Sequence, residues 1–465
     1  MSAPAEAVVR VNATNQSFDF ARPWSKKPPF PRRGTGAIIA DARVLVTAEL
    51  IANHTYVEIE KPLGGDKSPA QVLAVDYDAN LALLRPVQED FLEGLGTFGI
   101  AEKAKVGEAA EILQVENNGE IARTPATVTT IAVSPYPLES AALLAFRLSS
   151  PLQSRDSSFV LPAVRGADLL GLLMRYDARS QTAEVVPGPV IRNFLARAES
   201  TPFQGPPRLG FSYAPLRDPG LRAYLGLSEP GGIYLTEVLP GSPAALAGLQ
   251  TGDVVLSIAG HSLDPDGLYD DPAHGKILFT HLIASRMPEQ GPLPIRAFRK
   301  GTTLDLSVTP APRDPARTVS EPYLFDTAPR YVVLGGIIFQ ELSGAFLREW
   351  GGNWRKNAPQ RLVFLDAFQT ELPPDRGKIV FVSGVLPSDD TLGYEGIENL
   401  VVTKLNDRTI RSLDDLALAA KEPLKGFHKL EFETDPKTIY LDARSIEANA
   451  PALAEDYGIP TPSNL

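Results

Sequence analysis

The sequence predicts a mainly β protein: paired β-barrels followed by two smaller α+β domains. Three observations carry this reading. The first two hundred residues hold about ten short runs rich in Val, Ile and Leu, split by turn residues, with a helical pattern only at their end. Proline is dense at TPFQGPPR (201–208) and TPAPRDPARTVSEPYLFDTAP (309–329), and proline lacks the N–H that helix and sheet need, so these runs read as linkers. Beyond each linker a strand ends in Val-Leu-Pro, at 238–240 and again at 385–387, which points to an internal duplication.

In chain order, GAIIA (36–40), RVLVT (43–47), TYVEIE (55–60), AQVLAVD (70–76) and LALLRP (81–86) read as strands, with LGGD (63–66) as a turn. EILQV (111–115), ATVTTIAV (126–133), LLAFRLS (143–149), LLGLLMRY (169–176) and AEVVP (183–187) continue the series, and PGPVIRNFLARA (187–198) reads as a helix. So many short strands suit barrels better than a parallel sheet. In the second block PGSPAALAG forms one short helix, with Ser242 as N-cap, Pro243 at the first position and Gly248 as a left-handed C-cap. Gly252-Asp253 turns the chain into the strand VVLSIAG. HGKILFTHLIASR (274–286) is expected as a second helix, because Ile277, Leu278, Leu282 and Ile283 recur at helical spacing. In the third block a strand VVTKLN, an Asn406-Asp407 turn and a helix begun by Ser412 and Asp415 in capping-box spacing follow one another. The expected domains are an N-terminal arm (1–30), a barrel domain (31–200), an α+β domain (207–312), a linker (313–330), a second α+β domain (331–445) and a C-terminal tail (446–465).

Composition narrows the function. The chain has 465 residues, too many for one core, and its 43% apolar content supplies a core for each domain. A net charge of −11 argues against nucleic-acid binding, and the basic run SKKPPFPRR (25–33) reads as a solvated loop. The absence of cysteine excludes disulfides, thiolate chemistry and Cys-ligated metals. Of the five histidines, His54, His261, His274, His281 and His428, none stands at metal-ligand spacing with a second ligand, so no metal and no cofactor are expected. No apolar run approaches the roughly 20 residues of a membrane span. MSAPAEAVV has no charged n-region or long apolar h-region, which fits a cytoplasmic protein or a sequence lacking its signal peptide.

Several stretches together resemble the Deg/HtrA family, a chymotrypsin-like double barrel followed by PDZ domains, and most resemble its plant-type branch with two PDZ domains. They are PW (23–24), GTGAII (34–39), VLVTAELIANHTYVEI (44–59), VLAVDYDANLALL (72–84), PGSPAALAGLQTGDVVLSIAG (240–260), HGKILFTHLI (274–283), YVVLGGIIF (331–339) and GVLPSDDTLGYEGIENLVV (384–402). The resemblance spans nearly the whole chain. It implies that fold, and it implies a catalytic triad of serine, histidine and aspartate.

Carried over by position, the histidine falls on Glu49 in VTAEL, the aspartate on Asn80 in NLALL, and the serine on Ser157 in SRDSSFV. Of the oxyanion-loop positions, Arg155, Ser158 and Phe159 stand where the family has glycines, and Asp156 stands between Arg155 and the serine. A glutamate of reference pKa about 4.3 is a weaker base than a histidine of about 6.5. Asn80 cannot ionise, and a loop without glycine loses the backbone freedom that aims two N–H groups at an oxyanion. The expectation is a barrel domain without proteolytic activity. His54, five positions on, and Asp78, two before Asn80, are weighed as substitutes for the lost base and its orienter, against ordinary strand-edge and loop roles. A Glu49–Arg155 ion pair across the vacant site is a further expectation.

PDZ domains take peptide C-termini by strand addition, with a loop of N–H groups on the carboxylate. The resemblance places the first loop at Arg208-Leu209-Gly210-Phe211, the strand through Ser212 and Tyr213, and the helical wall from His274 to Ile283, including Leu278 and Leu282. It places the second loop at Leu334-Gly335-Gly336-Ile337, followed by Ile338 and Phe339. Each groove is either open to peptides or protein C-termini or filled by the chain itself. The family's trimers, or multiples of them, are implied, with Phe18, Phe20 and Trp24 of the arm as contacts or as packing on their own barrel. Three functions compete: a peptide-binding scaffold or chaperone-like protein that does not cut, a divergent serine endopeptidase of protein quality control, and a regulatory subunit of an active homologue. The resemblance favours the periplasm or cell envelope.

Overall fold

Period-2 alternation builds the first barrel. In β1 (Val8–Asn15), Val9, Val11 and Ala13 are buried in one core, while Val8 belongs to the neighbouring one. With β2 (Phe30–Ile39), β3 (Arg43–Val46), β4 (His54–Glu60), β5 (Lys67–Asp76) and β6 (Leu81–Pro86), it closes in the order β1-β2-β3-β6-β5-β4. Residues 81–84 of β6 are all buried because alternate side chains serve two cores. A four-residue helix, α1 (Ala48–Ile51), follows β3. This computed structural model describes residues 7–63, 65–138, 141–153, 160–199, 203–227, 230–373 and 375–465.

The second barrel comprises β7 (Gly99–Ile100), β8 (Ala109–Val115), β9 (Ile121–Pro135), β10 (Ala142–Ser149), β11 (Pro162–Arg165), β12 (Asp168–Asp177) and β13 (Thr182–Pro187). Its order is β11-β8-β9-β10-β13-β12-β7, and a β11–β12 pairing closes the ring. The helix α2 (Gly188–Ala198) ends this block.

The next sheet runs β14-β15-β16-β20-β21, built from β14 (Phe211–Pro215), β15 (Ile233–Val238), β16 (Val254–Ile258), β20 (Leu293–Arg299) and β21 (Thr302–Val308), with β17 (His261–Ser262) beside β16. Helices α3 (Pro219–Leu225) and α4 (Pro243–Leu246) interrupt it. Ser242 Oγ accepts the Ala245 N–H at 3.2 Å, and Gly248 takes φ +91° past the helix end. The helix expected over 274–286 is corrected. β18 (Leu268–Asp271) and β19 (Gly275–Leu278) form a hairpin, and only α5 (Thr280–Ala284) is helical. Asp271 Oδ1 accepts the N–H groups of Ala273 and His274 at 2.8 and 2.9 Å, and Gly275 adopts φ +73°. This turn chemistry overrides the apolar spacing.

The chain divides into two units, Met1–Asn15 with Phe30–Arg313 and Gln16–Pro29 with Asp314–Leu465. The second unit has a sheet β24-β23-β22-β29, from β22 (Tyr331–Leu334), β23 (Ile337–Glu341), β24 (Val380–Val385) and β29 (Ser463–Asn464). Its other sheet, β26-β25-β27-β28, uses β25 (Val402–Leu405), β26 (Arg408–Thr409), β27 (Phe427–Phe432) and β28 (Thr438–Asp442). Helices α6 (Gly344–Leu347), α7 (Trp354–Asn357) and α8 (Gln360–Ala367) lie between β23 and β24; α9 (Leu413–Ala419) and α10 (Ala443–Tyr457) come later. Asn406 and Asp407 turn the chain at φ +51° and +63°, and Ser412 Oγ accepts the Asp415 N–H at 3.1 Å.

Three boundaries need correction. Residues 8–15 are not an arm but a barrel strand paired on both sides, with β2 and β4. Residues 446–465 are not a tail: they continue α10 and supply β29, which pairs with β22. The expected linker already belongs to the second unit from Asp314, and Ser320 within it is fully buried. Two of the three arm aromatics, Phe20 and Trp24, are spent within the second unit. Phe20 packs edge-on against Phe346 at 6.4 Å, with Trp354 and Phe381 in the same cluster. Trp24 meets Tyr331 at 5.8 Å and donates its indole N–H to Tyr457 O at 3.2 Å. Gln340 Nε2 donates to Phe20 O at 2.7 Å, so residues 16–29 are held by their backbone as well.

Candidate functional site

Glu49 lies in the first turn of α1, and Asn80 in the turn between β5 and β6. Asn80 adopts φ +52°, which asparagine tolerates better than most residues, and its side chain is buried. Its amide grips Glu49 at two points. Oδ1 accepts the Glu49 N–H at 3.1 Å, and Nδ2 donates to Glu49 Oε2 at 3.0 Å. Burial pushes the Glu49 carboxyl up from its ordinary value, while the Asn80 bond, Arg32 and Arg175 pull it down less strongly. Arg32 also donates from Nη1 to Glu49 O.

The Glu49 side chain borders an open cleft of about 760 Å³ on the second barrel, with Thr129, Arg147, Met174, Arg175 and Glu184 among its walls. Arg147 and Arg175 both pair with Glu184, at 3.4 and 3.5 Å. Their positive charge is therefore partly neutralised within the cleft. Arg155, Asp156, Ser157, Ser158 and Phe159 lie outside the described residues, and with them the expected Glu49–Arg155 pair.

The two candidate substitutes for the triad have other partners. His54 opens β4, and its Nδ1 is 2.9 Å from Ile51 O, at the end of α1. Asp78 is buried and pairs with Arg208 Nη2 at 2.8 Å, so the reading of Asp78 as an orienter is corrected. Sequence reasoning passed over Asp76, which is 3% exposed. Its Oδ1 accepts the Ala79 N–H at 2.9 Å, and its Oδ2 has no hydrogen-bond partner. Burial pushes this carboxyl up to about 7, and the charge of Asp78 adds to the rise. A small cavity of about 20 Å³ separates it from Arg197 and His281. His281 is pushed down to about 4, mainly by burial and then by its neighbour His274, so it is uncharged at neutral pH. Among the described residues no cluster of His, Asp or Glu could hold a metal ion.

In the first groove Leu209 is buried and Gly210 takes φ +80°. A Cβ at Gly210 would stand 2.4 Å from Ser242 Cβ, so this position admits only glycine. β14 is an edge strand, paired with β15 and, among the described residues, with no strand on its other side. Phe211 and Tyr213, two residues apart on one face, meet Phe279 at 6.1 and 4.9 Å, while Ser212 is exposed. Leu278 ends β19 and Leu282 lies on α5, so the wall expected to be one helix is a strand and a helix joined at Phe279. Phe279, missed by sequence reasoning, is the buried hinge of that wall. A period-2 reading of Lys276, Ile277 and Leu278 would have pointed to it.

The second groove is filled by the chain. Leu334 pairs with Ile337 across Gly335 and Gly336, at φ +59° and +89°, making a tight hairpin. β23, with Ile338 and Phe339, is hydrogen-bonded to β22 on one side and β24 on the other, and β22 lies against α9 as well. Leu334, Gly335, Gly336 and Ile337 are thus corrected from a peptide loop to a turn, because both edges of β23 are occupied.

Family profiles described as PDZ domain match residues 320–464 and 234–270. The Arabidopsis thaliana proteins "Protease Do-like 2, chloroplastic" and "Putative protease Do-like 3, mitochondrial" are 26% and 22% identical to this chain. Each match covers 98% of this chain, and 74% and 79% of those proteins. The structure of "HtrA-type protease AlgW with decapeptide" superposes with a TM-score of 0.51 at 18% identity, over 68% of this chain and 97% of that one. Its likeness is one of fold, and it agrees with the double barrel and the domain after it. With PDZ profiles matching in the C-terminal half and similarity to Do-like proteases over 98% of this chain, the comparisons support the resemblance to the Deg/HtrA family.

Proposed function

We propose that this is a Deg/HtrA protein that binds polypeptide ends in its first PDZ domain and does not cut them. One observation carries the reading: the pair that should move and orient a proton is a carboxylate clamped by an amide. A triad histidine accepts the serine proton and is steadied by a carboxylate. Here Asn80 spends its carbonyl on the Glu49 backbone and its amide on the Glu49 carboxylate, which favours the charged form of a weak base and holds it at the cleft edge. The first groove supports the binding half of the proposal, with an open strand edge, a glycine loop and an apolar wall around Phe279. Assembly into a trimer or a multiple of one rests on the resemblance alone, since Phe20 and Trp24 no longer argue for it. A scaffold role and a role as subunit of an active homologue share this chemistry, and co-purification separates them. The direct test is hydrolysis of unfolded casein by the full chain and by Ser157→Ala. The proposal expects equal, background rates, and a wild-type rate lost in the variant would refute it.

A second reading is favoured by the buried state of Glu49. A carboxyl raised towards neutrality is a better base than an exposed one, so a divergent endopeptidase would use it. That reading requires casein hydrolysis with a rate governed by a single ionisation and abolished in Glu49→Gln.

A further inference from the structure

Both walls of the first PDZ groove are tied to the barrels. At the loop end, Arg208 exchanges backbone hydrogen bonds with Ala311 at 2.7 and 3.1 Å, and its guanidinium reaches Asp78. At the helix end, Arg197 of α2 donates to Ala284 O, on the last residue of α5, and to Arg286 O beyond it, at 2.8 and 3.0 Å. Asp78 is 6% exposed and lies two residues before Asn80, in the same turn. Meanwhile the N–H groups of Leu209 and Gly210 meet no backbone carbonyl among the described residues.

This arrangement has an electrostatic consequence. A peptide carboxylate seated on the N–H groups of Leu209 and Gly210 would lie next in the chain to Arg208. A free guanidinium there would favour the carboxylate strongly. Asp78 already neutralises that guanidinium, and being buried it is poorly screened by salt.

Resting on the reading of this groove as a carboxylate site, we propose that Asp78 is a specificity-determining residue of the first PDZ domain. It holds the loop cation on the barrel, so the groove distinguishes weakly between a peptide ending in a carboxylate and the same peptide ending in an amide. A terminal carboxylate gains its full affinity only by taking Arg208 from Asp78. The groove therefore also accepts internal extended segments, which present no terminal charge.

The test uses the full chain and the tightest fluorescent decapeptide from a random C-terminal library, made as free acid and as amide. By anisotropy, wild type should prefer the acid by no more than about threefold. Asp78→Asn should raise that preference about tenfold, by tightening the acid while leaving the amide unchanged. Adding Arg208→Gln to Asp78→Asn should abolish the gain. A wild-type preference above about tenfold overturns the proposal, and needs no variant to be folded. An unchanged ratio in Asp78→Asn, with both peptides still bound, overturns it too while leaving the groove reading intact. No binding of either peptide by any form refutes the groove reading itself, and the role of Asp78 with it.

Discussion

Replacing Asp76 by asparagine should stabilise the first unit at alkaline pH and not at acid pH. The folded carboxyl titrates near 7 and the ordinary value is 3.8, so the folded state keeps a proton that the unfolded chain has lost. Stability therefore falls as pH rises across that interval, and stays low above it. At 1.36 kcal/mol per pH unit the full loss is about 4 kcal/mol. The asparagine side chain would keep an oxygen for the Ala79 N–H, but its new amide donors face the cavity where Oδ2 of Asp76 now has no partner. An unmet buried donor costs about 1–3 kcal/mol. The net expectation for Asp76→Asn is thus a gain of about 1–3 kcal/mol at pH 8 and a loss of similar size at pH 4. The assay must report the first unit. All three tryptophans, Trp24, Trp350 and Trp354, belong to the second unit, so their emission is blind to this change. Scanning calorimetry, or urea unfolding followed by circular dichroism, at pH 4, 6 and 8 resolves it. An Asp76→Asn effect of the same sign and size at all three values would refute the reasoning.

Phe20→Ala should destabilise the second unit by about 3 kcal/mol, because it empties a pocket formed with Phe346, Trp354 and Phe381; urea unfolding followed by tryptophan emission measures it. Gly210→Ala should weaken decapeptide binding at least tenfold, since the new Cβ strikes Ser242 and the φ of +80° is strained for alanine; anisotropy tests this. Asn80→Ala should cost about 1–2 kcal/mol in calorimetry by stripping Glu49 of two hydrogen bonds.

Much of the fold was legible because barrel strands carry their own period. Leu81–Leu84 and Leu169–Met174 could only be buried strands, and Ser242 with Gly248 could only bracket a short helix. β1 escaped because Val8-Val9 and Val11 gain meaning only from partners 20 to 50 residues away, and its polar Asn12, Thr14 and Asn15 hide the pattern. The Leu268–Leu278 hairpin was masked by Leu282 and Ile283, whose spacing after Ile277 and Leu278 imitates a helix. The altered identities at Glu49 and Asn80 were readable by position, but not that the two side chains would bind each other. That required the β5–β6 turn to place Asn80 beside α1. Asp78 was noticed for its charge alone, and its partner Arg208 lies 130 residues on, beyond any local pattern. The filling of the second groove was open in sequence, because Leu334-Gly335-Gly336-Ile337 suits a carboxylate loop and a two-residue hairpin equally well.

The central claim is that the serine at position 157 has no base to activate it. Fluorophosphonates phosphonylate serines whose hydroxyl is activated by a neighbouring base, forming an Oγ–P bond with loss of fluoride. The most direct measurement is therefore intact-mass spectrometry after incubation with such a probe at neutral pH, with Ser157→Ala alongside. Unmodified mass in both proteins is the predicted result; a single adduct on wild type that maps to Ser157 and vanishes in the variant would contradict it.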